Sequence, residues 1–382
     1  MAVPRVFLVA VERSGETLGI DILERCARAG IAAHWSGVVG PRLAAAGVEG
    51  VADGEMLAVM GLVEVLRHYG ALRRLYRQVV RYLREERPDA VVLVDHPAFN
   101  LRVAREARKL GIRVLYVVGP QIWAWRQHRI HRIREVVDRM FLLFPFERPM
   151  YAEAGIPAQV LPHPLLAATA SAPGREAARQ ALGLPAAGPV LALLPGSRRS
   201  EIARLARPMA EASIRLRQRH PDLCSVVALA RQELADLWVE RAGPAGAEIL
   251  QVAGRSTDVL AAANLVVVAS GTATLETALM VRPAVVVYAM QALTYRVARW
   301  LVRVPFVALP NLLLGRRIYP ELLQEEVDPD RIAGLLEGML EEGGGNSQVE
   351  ALRSLRVLLQ GDTEEAVARG LRQTLLGEPA GA

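Results

Sequence analysis

Short apolar runs alternate along this chain with longer stretches in which apolar residues recur every three or four positions. In the first half the runs fall at residues 6–11, 90–95, 114–118 and 140–144; in the second they fall at 190–194, 225–229, 248–252, 265–268 and 284–288. Short, mostly apolar runs suit strands buried on both faces, and helix-period stretches between them predict parallel sheets. Helices are expected at 16–29, 62–86 and 99–109, and from about 329 onward, where Gly343-Gly344-Gly345-Asn346 interrupts them. An Ala-, Pro- and Gly-rich stretch at 165–188 reads as a linker with a short helix. A chain of 382 residues suggests two domains. The fold class expected is therefore α/β, two Rossmann-like domains with parallel sheets facing a cleft, divided at 1–165 and 166–359.

Two strand ends in the second half carry candidate chemistry. After the run at 265–268 comes Ala269-Ser270-Gly271-Thr272-Ala273-Thr274-Leu275-Glu276, a small-residue turn that opens a helix. Free N–H groups at a helix start attract phosphate. Ser270, Gly271 and Thr272 let a ligand approach, and Glu276 lies about a turn and a half further on. A diphosphate with a ribose beside it fits that layout, and so does an ordinary capped helix. After the run at 190–194 comes Pro195-Gly196-Ser197-Arg198-Arg199-Ser200-Glu201. Gly196 and Ser197 form another small turn, and Arg198 adds a fork suited to phosphate. Cations at a helix start oppose the dipole unless an anion sits there too.

In the first half, the run at 90–94 leads into Asp95-His96-Pro97. Pro97 ends the strand and exposes the turn. Asp95 suits a general base acting on a hydroxyl, and equally a cap for the helix near Phe99. His96, Glu12 and Glu16 are alternative bases. His163, before Pro164, suits a structural role at the domain junction. Asp328-Pro329-Asp330 resembles a metal-binding DxD, but its place before a helix makes it a cap.

Composition narrows the partners. The chain is 52% hydrophobic and 23% charged with a net charge of +6, and of its 46 basic residues only Lys109 is a lysine. Excess positive charge favours anionic partners. No nucleic-acid motif or aromatic-basic interleaving is present, so nucleic acid is not expected. The two cysteines, Cys26 and Cys224, show no metal spacing, and His128 and His131 sit among arginines that would repel a cation. No metal and no cofactor are expected. No apolar stretch is long enough to span a bilayer, and no signal-peptide cleavage site follows the first apolar run. A cytosolic protein, free or held at a membrane surface, is expected. At 57–87, Leu57, Met60, Leu62, Val63 and Leu66 precede Arg67, Arg73, Arg74, Arg77, Arg81 and Arg84. That mixture suits an anionic membrane surface, and it also suits an amphipathic helix half-buried in the fold.

Several segments together resemble the lipid-A-disaccharide synthase family. They are Val59-Met60-Gly61-Leu62-Val63-Glu64-Val65-Leu66, Gln121-Ile122-Trp123-Ala124-Trp125-Arg126-Gln127, Leu194-Pro195-Gly196-Ser197-Arg198, Ala269 to Glu276, Val307-Ala308-Leu309-Pro310-Asn311-Leu312-Leu313 and Glu321-Leu322-Leu323-Gln324-Glu325. The resemblance runs from about Val6 to Glu325. It implies a GT-B fold whose final helix, about 360–382, closes on the first domain. It implies inverting transfer of 2,3-diacylglucosamine from UDP to the 6-hydroxyl of 2,3-diacylglucosamine 1-phosphate (lipid X), at the cytosolic face of the inner membrane. Carried over, Asp95 is the base and Arg198 meets the departing diphosphate. Ser270, Gly271 and Thr272 line the donor pocket, Glu276 holds ribose, and Asn311, Gln324 and Glu325 complete the donor side. Glu12 and Ser14 face the acceptor, and the Leu57 to Leu66 region dips into the bilayer. Oligomeric state is not implied.

The chain departs from the family at Val11-Glu12-Arg13-Ser14-Gly15-Glu16, where Gly-Glu-(Ala/Thr)-Ser-Gly-Asp is usual, and at Ala98, Gly119 and Arg317. Most departures fall in the first half, so the donor is the better-determined substrate. A UDP-N-acetylglucosamine epimerase, a cell-wall transferase and a non-catalytic sugar-nucleotide binder are the competing readings. Trp123-Ala124-Trp125-Arg126 speaks against the first two, and Asp95 against the third.

Overall fold

The computed structural model describes residues 3–54, 69–124, 127–291, 295–296, 304–341 and 345–379. It forms two compact units, Met1–Pro164 with Leu359–Ala382, and Leu165–Leu358. The N-terminal unit is built on strands β1 (Arg5–Ala10), β2 (His34–Val39), β3 (Glu49–Asp53), β4 (Ala90–Val94), β5 (Arg113–Val117), β6 (Arg139–Leu142) and β7 (Ala158–Val160). They run parallel in the order β3-β2-β1-β4-β5-β6-β7. The C-terminal unit is built on β8 (Val190–Leu194), β9 (Cys224–Leu229), β10 (Leu250–Ala253), β11 (Leu265–Ala269), β12 (Ala284–Tyr288) and β13 (Glu321–Leu323). These are also parallel, in the order β10-β9-β8-β11-β12-β13. The expected α/β class with two parallel sheets is borne out, and all nine expected strands are present.

In each sheet the strand order reverses once, between β1 and β4 and between β8 and β11. Open parallel sheets bind ligands at the carboxyl ends of strands at such a reversal, because adjacent loops diverge there and leave a crevice. Register then decides which residues meet. Leu194 pairs with Val268, so the turns after β8 and β11 emerge side by side. Val9 pairs with Leu93, which does the same for the turns after β1 and β4.

The central strands β4, β8 and β11 are buried along their whole length. Two apolar clusters pack within the N-terminal unit. One includes Leu75, Val79 and Leu83 of α2 (Tyr69–Glu86) and Val103 and Ala107 of α3 (Pro97–Lys109). The other takes Leu18 and Ile22 of α1 (Arg13–Arg28) together with Val367 and Leu371 near the C-terminus. Arg25 of α1, almost fully buried, pairs with Asp21 at 2.7 Å and with Glu364 at 2.6 Å, tying the chain's last segment to this unit. Among the described residues, no helix is long and apolar enough to cross a membrane.

Four strands have no matching apolar run. β2 (His-Trp-Ser-Gly-Val-Val) and β3 (Glu-Gly-Val-Ala-Asp) mix polar residues with glycine, while β7 and β13 have three residues each. Gly37 shows why β2 breaks the pattern. A Cβ there would lie 1.9 Å from the carbonyl oxygen of Leu8, so only glycine lets β2 lie against β1.

Candidate active site

The turns after β8 and β11 enclose a cavity of about 340 Å³ within the C-terminal unit. It is lined by Gly196, Ser197, Arg198, Ser270, Gly271, Thr272 and Glu276, seven of the residues singled out from the sequence. Gly196 has φ of 100° and Gly271 of 140°, backbone that residues with a Cβ seldom adopt. Helix α4 (Arg199–Arg219) starts at the first turn, and α6 (Thr272–Leu279) at the second; α5 (Ser256–Ala262) lies between them in sequence. The first amides of α6 lack an acceptor inside their own helix, as at any helix start, and Thr272 and Ala273, which open it, line the cavity.

Three carboxylates organise this unit, and the sequence pointed to only one of them. Glu201 accepts from the amides of Ser197 and Arg198, at 3.0 and 3.1 Å, and pairs with the Arg198 guanidinium at 3.1 Å. It therefore shapes the turn and occupies two of its donors, leaving Arg198, largely exposed, as the movable one. Glu276 accepts from Thr257 Oγ1 at 2.7 Å and Ser256 Oγ at 3.2 Å, which fixes its carboxylate toward the cavity wall. Ser256 and Thr257 follow β10 in a Gly-Arg-Ser-Thr turn, an ordinary helix-start signal that gave no hint of this partnership. Glu321, the third, accepts from the amides of Val307 and Ala308 and from Asn311.

Asn311, Gln324 and Glu325 are absent from the cavity lining. Asn311 is fully buried, and its amide is saturated. It donates to Tyr319 O and Glu321 and accepts from the amides of Ile318 and Tyr319, each at 2.8 Å. A side chain with every hydrogen-bonding position filled has nothing left for a ligand. Its influence passes through Glu321 to Val307, whose carbonyl receives the Ser270 hydroxyl at 2.9 Å. Gln324 takes φ of 55° and bonds both main-chain groups of Met290, while Glu325 is exposed in the same short turn. Asp328 caps α7 (Pro329–Glu341), accepting from the amides of Asp330 and Arg331.

In the N-terminal unit, Asp95 lines a separate cavity of about 300 Å³ with Val118, Gly119, Gln121, Ile122 and Arg129. Its carboxylate does not cap α3, whose N-cap is His96 with no side-chain bond. Instead the Asp95 carbonyl is gripped by Asn100 Nδ2 at 2.8 Å and the Tyr116 hydroxyl at 2.5 Å. Asp95 and His96 both have left-handed backbone, φ 52° and 43°, and β-branched Val118 across the cavity has φ 63°. Such conformations each cost about 1–3 kcal/mol and persist where surrounding structure imposes them. Here the imposed twist turns the strand end and leaves the carboxylate without a hydrogen bond from any described residue.

Glu12 stands at the N-cap position of α1 without a side-chain capping bond, and its carboxylate lies 3.5 Å from His96 Nε2. Ser14 is exposed on the first turn of α1. Glu16 is removed as a candidate base: it is buried and accepts from the amides of Arg42 and Leu43 at 2.8 and 3.2 Å. The same unit buries several titratable groups. Burial raises the Tyr116 phenol well above its usual range, with the Asp95 charge adding to the effect. Burial also pushes Glu147 up to about 8 and His163 down to about 4. Leu57, Met60, Leu62, Val63 and Leu66, with Trp125 and Arg126, lie outside the described residues.

Two parallel α/β units, each with a ligand-ready strand reversal, place the chain in the GT-B class of fold. Solved structures agree: the S. aureus MnaA–UDP co-structure has a TM-score of 0.65 at 11% identity and covers 99% of both chains. A kitacinnamycin glycotransferase has a TM-score of 0.60 at 16% identity, covering 98% of this chain and 100% of that one. UDP-GlcNAc 2-epimerase from Neisseria meningitidis bound to UDP-GlcNAc also has a TM-score of 0.60, at 10% identity, with the same coverage. At these identities the likeness establishes the fold alone. The family profile described as Lipid-A-disaccharide synthetase matches residues 6–369. Lipid-A-disaccharide synthase of Anaeromyxobacter dehalogenans (strain 2CP-C) is 44% identical over 358 residues, 93% of each chain. That of Pseudomonas aeruginosa (strain LESB58) is 40% identical over 372 residues, 97% of each. The chain belongs to the lipid-A-disaccharide synthase family. It is a glycosyltransferase of lipid A biosynthesis, as the sequence segments had implied.

Proposed function

We propose that this chain moves 2,3-diacylglucosamine from UDP to the 6-hydroxyl of 2,3-diacylglucosamine 1-phosphate, with inversion at the anomeric carbon. The products are the β-1,6 disaccharide 1-phosphate and UDP. The observation that carries the donor half is the 340 Å³ cavity, where Arg198, the α6 amides and Glu276 meet. UDP in the S. aureus MnaA co-structure and UDP-GlcNAc in the Neisseria epimerase structure support a UDP-sugar there. The amides and Arg198 take the diphosphate, and Glu276 takes ribose hydroxyls.

Asp95 accepts the proton of the attacking 6-hydroxyl while that oxygen bonds to the anomeric carbon and the bond to UDP breaks. A carboxylate with no hydrogen bond to give up is suited to receive a proton. Charge growing on the leaving diphosphate is met by donors already aimed at it, which is where most electrostatic catalysis arises. Glu12 and Ser14 lie on the acceptor side. Asn311 supports the donor cavity through Glu321, and Gln324 and Glu325 border the donor side. No metal is needed in this scheme, so excess chelator leaves the rate unchanged. The reading places the enzyme at the cytosolic face of the inner membrane, with the Leu57 to Leu66 region as the anchor.

The test is direct. The purified protein is mixed with UDP-2,3-diacylglucosamine and 2,3-diacylglucosamine 1-phosphate, and UDP and disaccharide are measured. Equimolar release supports the reading. UDP release without disaccharide, or sugar epimerisation instead, overturns it.

A further inference from the structure

A smaller cavity lies between the N-terminal turns of α2 and α3. It holds about 50 Å³ and is lined by Leu72, Arg73 and Tyr76 of α2 and by Ala98, Phe99 and Arg102 of α3. That volume admits a few waters, or one phosphate group in their place. Its walls are of two kinds. Leu72 and Phe99 are apolar, and Tyr76 meets Phe99 edge-on at 6.3 Å. Arg73 and Arg102 supply two guanidiniums.

Four cations of these two helices have acidic partners. Arg81 pairs with Glu85, Arg84 and Lys109 with Glu106, and Arg108 with Asp138. Arg73 and Arg102, the two at the cavity, have no acidic partner among the described residues. Arg74, Arg77 and Arg105 also lack one, but of the unpaired cations only Arg73 and Arg102 line this concave spot. The nearby carboxylate of Glu106 is already paired with Arg84 and Lys109, so two unpaired guanidiniums at a phosphate-sized cavity are arranged as an anion site.

Position identifies the anion. Ala98 lines this cavity and Pro97 lines the cavity of Asp95. The two linings thus meet at one peptide bond, across which Cα atoms lie about 3.8 Å apart. We infer that Arg73, Tyr76 and Arg102 bind the phosphate monoester of the acylated sugar acceptor, with Leu72 and Phe99 against its apolar part. A monoester carries roughly −1.5 to −2 charge near neutral pH, which two guanidiniums match. This rests on the proposed reaction, because it assigns the acceptor's phosphate end while Asp95 serves its hydroxyl.

The test compares wild type, Arg73→Ala/Arg102→Ala, Arg129→Ala and, as a control, Arg81→Ala/Arg84→Ala. Each is assayed with the phosphorylated acceptor and the UDP-sugar varied in turn, which gives a separate KM for each substrate. Binding to vesicles containing phosphatidylglycerol is measured alongside. Binding of the phosphorylated acceptor is also measured calorimetrically without donor. The Arg73/Arg102 variant should raise acceptor KM and Kd by about tenfold or more, with donor KM unchanged and melting temperature retained. Arg102→Lys should recover only part of the loss, since an ammonium lacks the fork. An acceptor without the phosphate should be used equally poorly by wild type and variant. A loss of vesicle binding with acceptor KM and Kd unchanged would assign the site to bilayer headgroups and overturn the inference. A rise in acceptor KM for Arg129→Ala alone would overturn it too, by placing the phosphate beside Asp95. If wild type makes no disaccharide, the proposed reaction fails, while the calorimetric arm still decides whether these arginines hold a phosphorylated sugar lipid.

Discussion

The two strand reversals share one topology and hold their polar groups in opposite ways. In the C-terminal unit each organising carboxylate is supplied with donors: Glu201 by two amides and Arg198, Glu276 by two hydroxyls, Glu321 by amides and Asn311. In the N-terminal unit the Asp95 carboxylate receives none from a described residue. The backbone differs as well. Glycine supplies the unusual φ at Gly196 and Gly271, whereas Asp95, His96 and Val118 hold theirs against a steric cost. A surface that binds a ligand of fixed charge is best prearranged by satisfied partners. A group that must change protonation is best left unsatisfied, and strain is one way to keep it so.

That contrast predicts different failures on the two sides. Asp95→Asn keeps shape and removes the proton acceptor, so kcat should fall by about a thousandfold, with UDP affinity intact. Retained turnover would break the comparison at its centre. Arg198→Ala should lower kcat by about a hundredfold, a typical loss for one donor to developing charge. Because Arg198 also reaches the ground-state diphosphate, UDP affinity should weaken in parallel, as measured by calorimetry. A loss confined to affinity would make Arg198 a binding group only.

How far these sites were legible from sequence follows the same division. Arg198, Thr272 and Glu276 could be read because each follows an apolar run directly, so the chain itself brings them to a strand end. Glu201, Ser256 and Glu321 could not, because their importance lies in hydrogen bonds to groups 3 to 20 residues away. Asn311 looked like a donor ligand by resemblance, yet its amide is filled by its own unit. Tyr151 carried no sequence signal at all. It sits behind Gly119, where a Cβ would come 2.2 Å from its hydroxyl.

That contact gives the next test. Gly119 has ordinary backbone, so Gly119→Ala is limited by space and not by φ. Overpacking of a tight wall typically costs about 1–3 kcal/mol, and here it would press on the cavity of Asp95. Urea unfolding should show the loss, and Tyr151→Phe in the same chain should return part of it by removing the nearest atom. Additive losses in the double variant would mean that the two residues do not share the wall.

The smallest effect concerns pH. Burial raises Glu147 from 4.5 to about 8, so between those values the folded chain keeps a proton that the unfolded chain has lost. Stability from this group is full below pH 4.5 and drains away as pH rises toward 8. Burial lowers His163 from 6.5 to about 4, so between those values the unfolded chain holds a proton that the folded chain lacks. Stability from this group is full above pH 6.5 and drains away as pH falls toward 4. The two slopes oppose each other between pH 4.5 and 6.5, and above 6.5 only Glu147 acts. From pH 6.5 to 8 it should cost about 2 kcal/mol. Glu147→Gln should remove that decline and uncover the rise due to His163 at lower pH, both read from melting temperature against pH. A decline above pH 6.5 that survived Glu147→Gln would take this buried carboxyl out of the account.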